Sequence, residues 1–212
     1  MYYPNLDNLK ERKQVKKKLQ DISYIRTGLV LNRYKFTSKS KEIFTYKQVG
    51  LRCFTSSIFL DKDKAEVFEA ERLIDSKYFT QKGDVLIRLR APMSAVYITE
   101  ETEGLLIPSL LAVVRVNKKF IDSKYLAYYL NTKYVKRILA KEIKGTSIPM
   151  IKTGNIETLE LIDPLISEQK KLVSLLDLAQ KEQDLLQKLI NEKKQLSQTI
   201  LDTIIQQNKE DK

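Results

Sequence analysis

The chain has 212 residues, a formal net charge of +11, one cysteine and no histidine, which is length for one ordinary globular domain and little besides. The lack of histidine excludes histidine triads, histidine metal ligands and histidine acid–base chemistry at once, and the lone Cys53 rules out an internal disulfide or a cysteine zinc site. No run of ~18 apolar residues is present to span a membrane, and the opening MYYPNLDNLKERKQVKKK has neither the apolar core nor the cleavage site of a secretory signal, so a cytoplasmic location is expected.

The charge is unevenly placed. From Ser167 onward eight Lys balance eight Asp or Glu, so the whole excess lies in the first 166 residues, together with all 18 Tyr and Phe. A basic, tyrosine-rich part followed by a neutral part predicts a division of labour, the first meeting a polyanion and the second meeting protein.

Lys10, Arg12, Lys13 and Lys16 to Lys18 form a basic arm, irregular or partly helical, that reads equally as a solvated leader or as a phosphate contact. It leads to a first strand expected at Leu19–Arg26. From there to Lys47, the cations Arg26, Arg33, Lys35, Lys39, Lys41 and Lys47 are interleaved with Tyr34, Phe36, Phe44 and Tyr46. Gly28 supplies a turn and Thr37–Ser40 an exposed loop. Guanidinium forks, hydroxyls and flat rings on loops suit phosphate positioning and base-edge readout; a hairpin with snorkelling lysines is the plainer alternative.

Val49–Leu60 is expected to hold one or two strands, and Lys62–Ala70 is a short charged stretch. A Lys82-Gly83-Asp84 turn introduces a buried strand at Val85–Leu89. Arg88 and Arg90, two apart, are expected on one face of it, with Ala91-Pro92 as its end. Ala95–Thr99 reads as a further strand, Glu100–Gly104 as an acidic turn, and Leu105–Val116 as central β-structure interrupted at Pro108. Asp122-Ser123 caps a helix running to about Ile143. Leu126, Tyr129, Leu130, Ile138 and Leu139 face the core, and Lys133, Lys136, Arg137 and Lys141 make the other side basic. A Gly145-Thr146-Ser147 turn, a tight Thr153-Gly154 turn and a last strand at Glu157–Ile162 follow, and Asp163-Pro164 closes the domain.

The stretch Ser167–Lys212 contains no Gly, no Pro and no aromatic residue. Apolar residues recur at Leu172, Leu175, Ala179, Leu186, Leu189, Leu196 and Ile200, a heptad a/d pattern widened by Ile190 and Ile204. This predicts one uninterrupted helix of ~40 residues, roughly 60 Å long, with Ser167 as its N-cap. Such a helix outruns any core this chain could wrap around it, so its seam asks for a second helix or another subunit. Glu182 and Lys193 interrupt the seam and help set register and orientation. A helix simply packed on its own domain is the plainer alternative.

The run from Gly145-Thr146-Ser147 through Ile156–Ile162 and Pro164-Leu165-Ile166-Ser167-Glu168-Gln169 into the Leu/Ile helix resembles the specificity subunits of type I restriction-modification systems. There, a target-recognition domain ends in a strand and a Pro-Leu-x-x-Glu-Gln motif that opens a conserved helix. The upstream KGDVLIRLRAP and KKFIDSKYLAYYLN fit the same domain. Such subunits usually carry two recognition domains and two helices in one chain, and this sequence holds one of each. The resemblance implies a non-catalytic subunit that reads double-stranded DNA and holds methyltransferase (modification) subunits, with a restriction subunit as a further partner of the complex. No adenine-methylation loop, Gly-rich cofactor loop or Walker A pattern occurs. Asp163, Glu168 and Lys170 loosely copy a nuclease Glu-x-Lys site, but Glu168 and Lys170 open a helix instead of sitting on paired strands.

The expected architecture is therefore α+β: a mixed, β-rich target-recognition domain over residues 1–164, then one long coiled-coil-forming helix over 165–212. The candidate DNA-binding residues are Arg26, Arg33, Tyr34, Lys35, Lys39, Lys41, Arg88, Arg90, Lys144, Thr146 and Ser147. No catalytic residue, metal or cofactor is expected. The helix seam is expected to form a homodimer and to dock the modification subunits. The rival reading is a coiled-coil scaffold whose basic domain binds another acidic partner.

Overall fold

The computed structural model describes residues 16–37, 42–142, 150–162 and 165–210. The amino-terminal arm up to residue 15, most of the Thr37–Ser40 loop, the Gly145–Ser147 turn and the Asp163-Pro164 junction lie outside these residues. In chain order the elements are β1 (Lys16–Lys18), α1 (Leu19–Ile22), β2 (Ser23–Thr27), β3 (Phe44–Gln48), β4 (Glu66–Ala70), β5 (Val85–Arg88), β6 (Ala95–Tyr97), β7 (Leu111–Val116), α2 (Ser123–Leu130), α3 (Lys133–Lys141), α4 (Thr153–Glu157), β8 (Glu160–Ile162) and α5 (Ile166–Glu210), joined in several places by 3-10 turns. The chain forms two compact units, one ending at Lys170 and the other running from Lys171, and its fold class is α+β with a long carboxy-terminal helix.

The first unit is organised on an antiparallel sheet of order β2-β7-β5-β6. Central β7 and its neighbour β5 are buried on both faces, which is why they read as unbroken apolar runs rather than alternating ones. Register puts Leu86, Val96, Leu111 and Val113 on one face. They pack there with Val49, Cys53, Leu60, Leu105 and Ile107. The other face carries Val85, Ile87, Ala112 and Val114, and α2 packs against β5 and β6. Each of these fully buried aliphatic side chains is worth roughly 1.5–3 kcal/mol over leaving it in water.

Several expectations are corrected by context. Leu19–Ile22 is a helical turn, α1, so β2 begins only at Ser23; Leu19 and Ile22 are both buried, a spacing of three that suits a helical turn and not one face of a strand. Val49–Leu60 holds a 3-10 turn at Leu51–Cys53 and isolated bridges from Phe54 to Leu60 and from Phe59 to Tyr97 instead of strands. The helix expected up to Ile143 breaks into α2 and α3. Asn131 makes the break, its carboxamide pairing with both backbone groups of Ala95 on the sheet edge at 2.7 and 3.1 Å. Thr132 then caps α3 by accepting from the Val135 N–H. Val135 joins Leu139 as a buried anchor of α3, while Ile138 is only half-buried.

The Thr153-Gly154 turn is the start of α4, and β8 is confined to Glu160–Ile162 by pairing with β1. Gly28 is needed for close approach more than for a turn: a Cβ there would lie 2.3 Å from the carbonyl oxygens of Ile107 and Pro108. Gly83, at φ +94°, serves the Lys82–Asp84 turn as expected.

α5, whose first turn belongs to the first unit and the rest to the second, is continuous over its 45 residues from Ile166, about 68 Å at 1.5 Å per residue. The helix starts one residue before the expected cap. Leu165 precedes it, and Glu168 reaches back to accept the Leu165 N–H. Seam residues Leu172, Leu175, Leu186, Leu189, Leu196 and Ile200 are 42–61% exposed. Polar pairs Gln180–Asp184, Gln187–Asn191 and Gln198–Asp202 run along other faces of the helix.

Candidate nucleic-acid interface

The basic residues of the first unit gather around two places. The first is built where the chain leaves β2 and returns through β4. Tyr34 to Phe36 are stitched to β4, with Phe36 N–H donating to Glu69 C=O and Glu71 N–H donating to Tyr34 C=O, both at 2.9 Å. This holds Arg33 and Lys35 exposed beside a half-buried Tyr34.

The return segment contributes Arg72, whose guanidinium lies 4.2 Å from the Tyr34 ring centroid while Nη2 donates to the Arg33 carbonyl at 3.0 Å. The next turn, Ser76–Tyr78, brings Tyr78 to 5.4 Å from the Arg26 guanidinium. Asp75 accepts the Lys77 backbone N–H at 2.9 Å and holds the Lys77 ammonium at 3.0 Å; the two together lower the carboxyl pKa, and the ion pair raises that of the ammonium.

Arg26 is the odd member of this group. Its Nη1 donates to the Thr27 carbonyl, and Nε and Nη2 are buried with no partner among the described residues. Burial first, and the neighbouring Arg115 charge second, push its pKa below the ordinary arginine value. Arg115 has its own partner: Nε and Nη2 grip the Asp84 carboxylate at 2.9 and 3.2 Å, and Nη2 also reaches the Phe79 carbonyl. That bidentate pair is structural, anchoring the segment that carries Tyr78 to β7.

The second place is the end of β5. The strand stops at Arg88 and the chain bends at Leu89, so Arg88 and Arg90 do not continue one strand face as expected. Arg88 is half-buried, 5.9 Å from the Phe54 ring, with no partner for Nε among the described residues. Arg90 is exposed and bridges Met150, and Ile151 N–H donates to Leu89 C=O at 2.8 Å. The segment that follows Lys144, Thr146 and Ser147 is thereby tied beside Arg90.

Arg26, Leu86, Arg88, Leu111 and Val113 share one face of the sheet by register. Lys39, Lys41, Lys144, Thr146 and Ser147 lie outside the described residues. Arg72 and Tyr78 were missed in the sequence because they sit in ERLIDSKYF, where carboxylates and cations alternate and no basic run marks them.

The junction to α5 carries a further residue whose role only the fold reveals. Gln169 is fully buried, accepting the Asp122 N–H at 2.8 Å and donating to the Phe120 carbonyl at 3.3 Å. It ties the first turn of α5 to the turn that opens α2. Among the described residues no group of three or more Cys, Asp or Glu is placed to hold a metal ion, and no helix is long and apolar enough to cross a membrane.

The first unit is thus an α+β fold carrying basic, tyrosine-lined loops, and the long helix that follows it in the chain exposes an apolar seam. The chain belongs to the type I restriction modification DNA specificity domain family, whose model matches residues 9–195.

Solved structures agree on the fold. The HsdS subunit from Thermoanaerobacter tengcongensis superposes with a TM-score of 0.60 at 15% identity over 82% of this chain. A chain from a structure of type I R-M system assembly and conformational transition gives 0.60 at 14% over the same share. The type I restriction-modification S subunit from M. genitalium gives 0.50 at 13% over 81%. This chain spans only 44%, 44% and 41% of those three chains. No curated protein sequence matches it.

Proposed function

We propose that this chain is the non-catalytic DNA-reading component of a type I restriction-modification complex, acting as a two-fold homodimer on a split palindrome and docking modification subunits through α5. The observation that carries the reading is the self-complementarity of the seam. Placing a second α5 antiparallel, with its centre between Leu186 and Leu189, pairs Leu186 with the copy's Leu189. It also pairs Ala179 with Leu196, Leu175 with Ile200 and Glu182 with Lys193. Each is an a position against a d position, the pairing an antiparallel coiled coil requires. The two polar interruptions thus meet as opposite charges, whereas parallel pairing would set Glu on Glu and Lys on Lys.

One recognition unit covers only a few base pairs, too few for useful selectivity against a genome. Two units related by a two-fold axis read inverted half-sites. At ~3.4 Å per base pair, a helix of this length keeps the half-sites within about one to two turns. The apolar positions flanking the seam, Leu178, Leu185 and Ile190, remain for modification subunits. The exposed cations Arg33, Lys35 and Arg90 position phosphates, and Arg26 and Arg88 lie nearer the sheet.

Mapping of methylated bases in a host carrying the gene, compared with its deletion, tests the reading. The expected motif is a half-site, a fixed unspecified spacer and the reverse-complement half-site. An asymmetric bipartite motif would refute the homodimer and assign the second half-site to another chain.

A further inference from the structure

We infer that Arg72, positioned by Tyr34, is a base-reading residue of the recognition unit; the inference rests on the DNA reading proposed above. An exposed arginine normally spreads over many rotamers, and holding one costs side-chain entropy. Arg72 is exposed, yet its guanidinium is fixed by two independent contacts, the Tyr34 ring at 4.2 Å and the Arg33 carbonyl at 3.0 Å. The platform is itself immobilised, because Tyr34 is half-buried and its carbonyl accepts the Glu71 N–H.

The chain on the far side is equally held. Ile74 is buried, and its N–H donates to the Tyr46 hydroxyl. The ring contact takes one face of the guanidinium and the hydrogen bond one of its five N–H donors. Nε, Nη1 and the second hydrogen of Nη2 have no partner among the described residues, so one two-donor edge stays open. No carboxylate within salt-bridge distance neutralises Arg72 among the described residues, in contrast to Arg115 on Asp84 or Lys77 on Asp75.

A planar, charged fork with free donors and no rotamer freedom left to lose matches the two acceptors that guanine presents in the major groove. Leu73 strengthens the case: it is 72% exposed beside Arg72, between that fixed arginine and buried Ile74, and offers apolar contact where a thymine methyl can sit. A phosphate contact needs no such platform, since a flexible ammonium serves as a point charge.

The test is selection from a randomised duplex pool with the full chain and its variants, followed by binding to the enriched duplex and to an unrelated one. Wild type is expected to enrich a motif. Arg72→Lys and Tyr34→Leu are expected to enrich the same motif with preference lost at the same one or two positions. They should bind the enriched duplex about tenfold to a hundredfold more weakly, with binding to the unrelated duplex unchanged. Tyr34→Phe, which keeps the ring, should restore the base preference that Tyr34→Leu loses at those positions.

An Arg72→Lys variant that retains the full motif overturns the inference in favour of a phosphate contact. Thermal melting of each variant separates a mere staple, which would lower the melting temperature and leave base preference intact; that result also overturns it. A wild-type chain that binds duplexes but discriminates at positions indifferent to Arg72 defeats only this inference. A wild-type chain that binds no duplex defeats the DNA reading and the inference together.

Discussion

The proposed pairing of α5 with a copy of itself makes a quantitative prediction at Glu182 and Lys193. In the antiparallel register each dimer contains the Glu182–Lys193 layer twice. Glu182→Lys therefore turns two attractive layers into two repulsive ones. Charge pairs at partly exposed helical positions are worth roughly 0.3–1 kcal/mol. Reversing the sign costs about 1 kcal/mol per layer, and the dimer loses about 2 kcal/mol, near thirtyfold in its dissociation constant.

Lys193→Glu should cost the same, and the double exchange Glu182→Lys with Lys193→Glu should restore the wild-type value. Sedimentation velocity over a concentration series gives the constants directly. Raising the salt to about 1 M should shrink the differences, because the screening length falls to about 3 Å. Parallel pairing predicts something different: Glu182→Lys would exchange one like-charged layer for another and change nothing. Single variants that dimerise as well as wild type would refute the antiparallel register.

Leu186→Glu with Leu189→Glu places charge at the centre of the seam, where it must be buried unpaired; sedimentation should show monomer while the circular dichroism of the first unit is retained. Lys35→Ala should weaken binding to every duplex alike and reduce the slope of log affinity against log salt by about one, since one released counterion is lost. Gln169→Ala strips the partner from the Asp122 N–H and the Phe120 carbonyl. Both groups are only part-buried, so at ~0.5–1.5 kcal/mol for each hydrogen bond lost, urea denaturation of the first unit should show a loss of about 1–3 kcal/mol.

Elements whose stability is local or periodic can be read along the chain. The seam of α5 is legible because each a/d position repeats at heptad spacing, with no glycine or proline to break it. β5 and β7 are legible because burial on both faces leaves an apolar run that no loop would carry. The Asp122 cap is legible because the acceptor and the first helical N–H groups are sequence neighbours: its carboxylate accepts from Lys124 and Tyr125. The family resemblance lies in these same stretches.

Only the tertiary structure decided the rest, because the deciding partner was far away in sequence. Asn131 ends α2 where it finds the backbone of Ala95, 36 positions earlier. Gln169 acquires its role from Phe120 and Asp122, and Arg115 from Asp84. The basic stretch 26–47 announced a charged, aromatic surface. That Arg26 is half-buried over Tyr78, and that Arg72 is the arginine held rigid against Tyr34, follows from pairing β4 with residues 34–36. Charge and ring content can be counted along a chain. Which donor is left free depends on distances of a few ångströms between segments that only folding brings together.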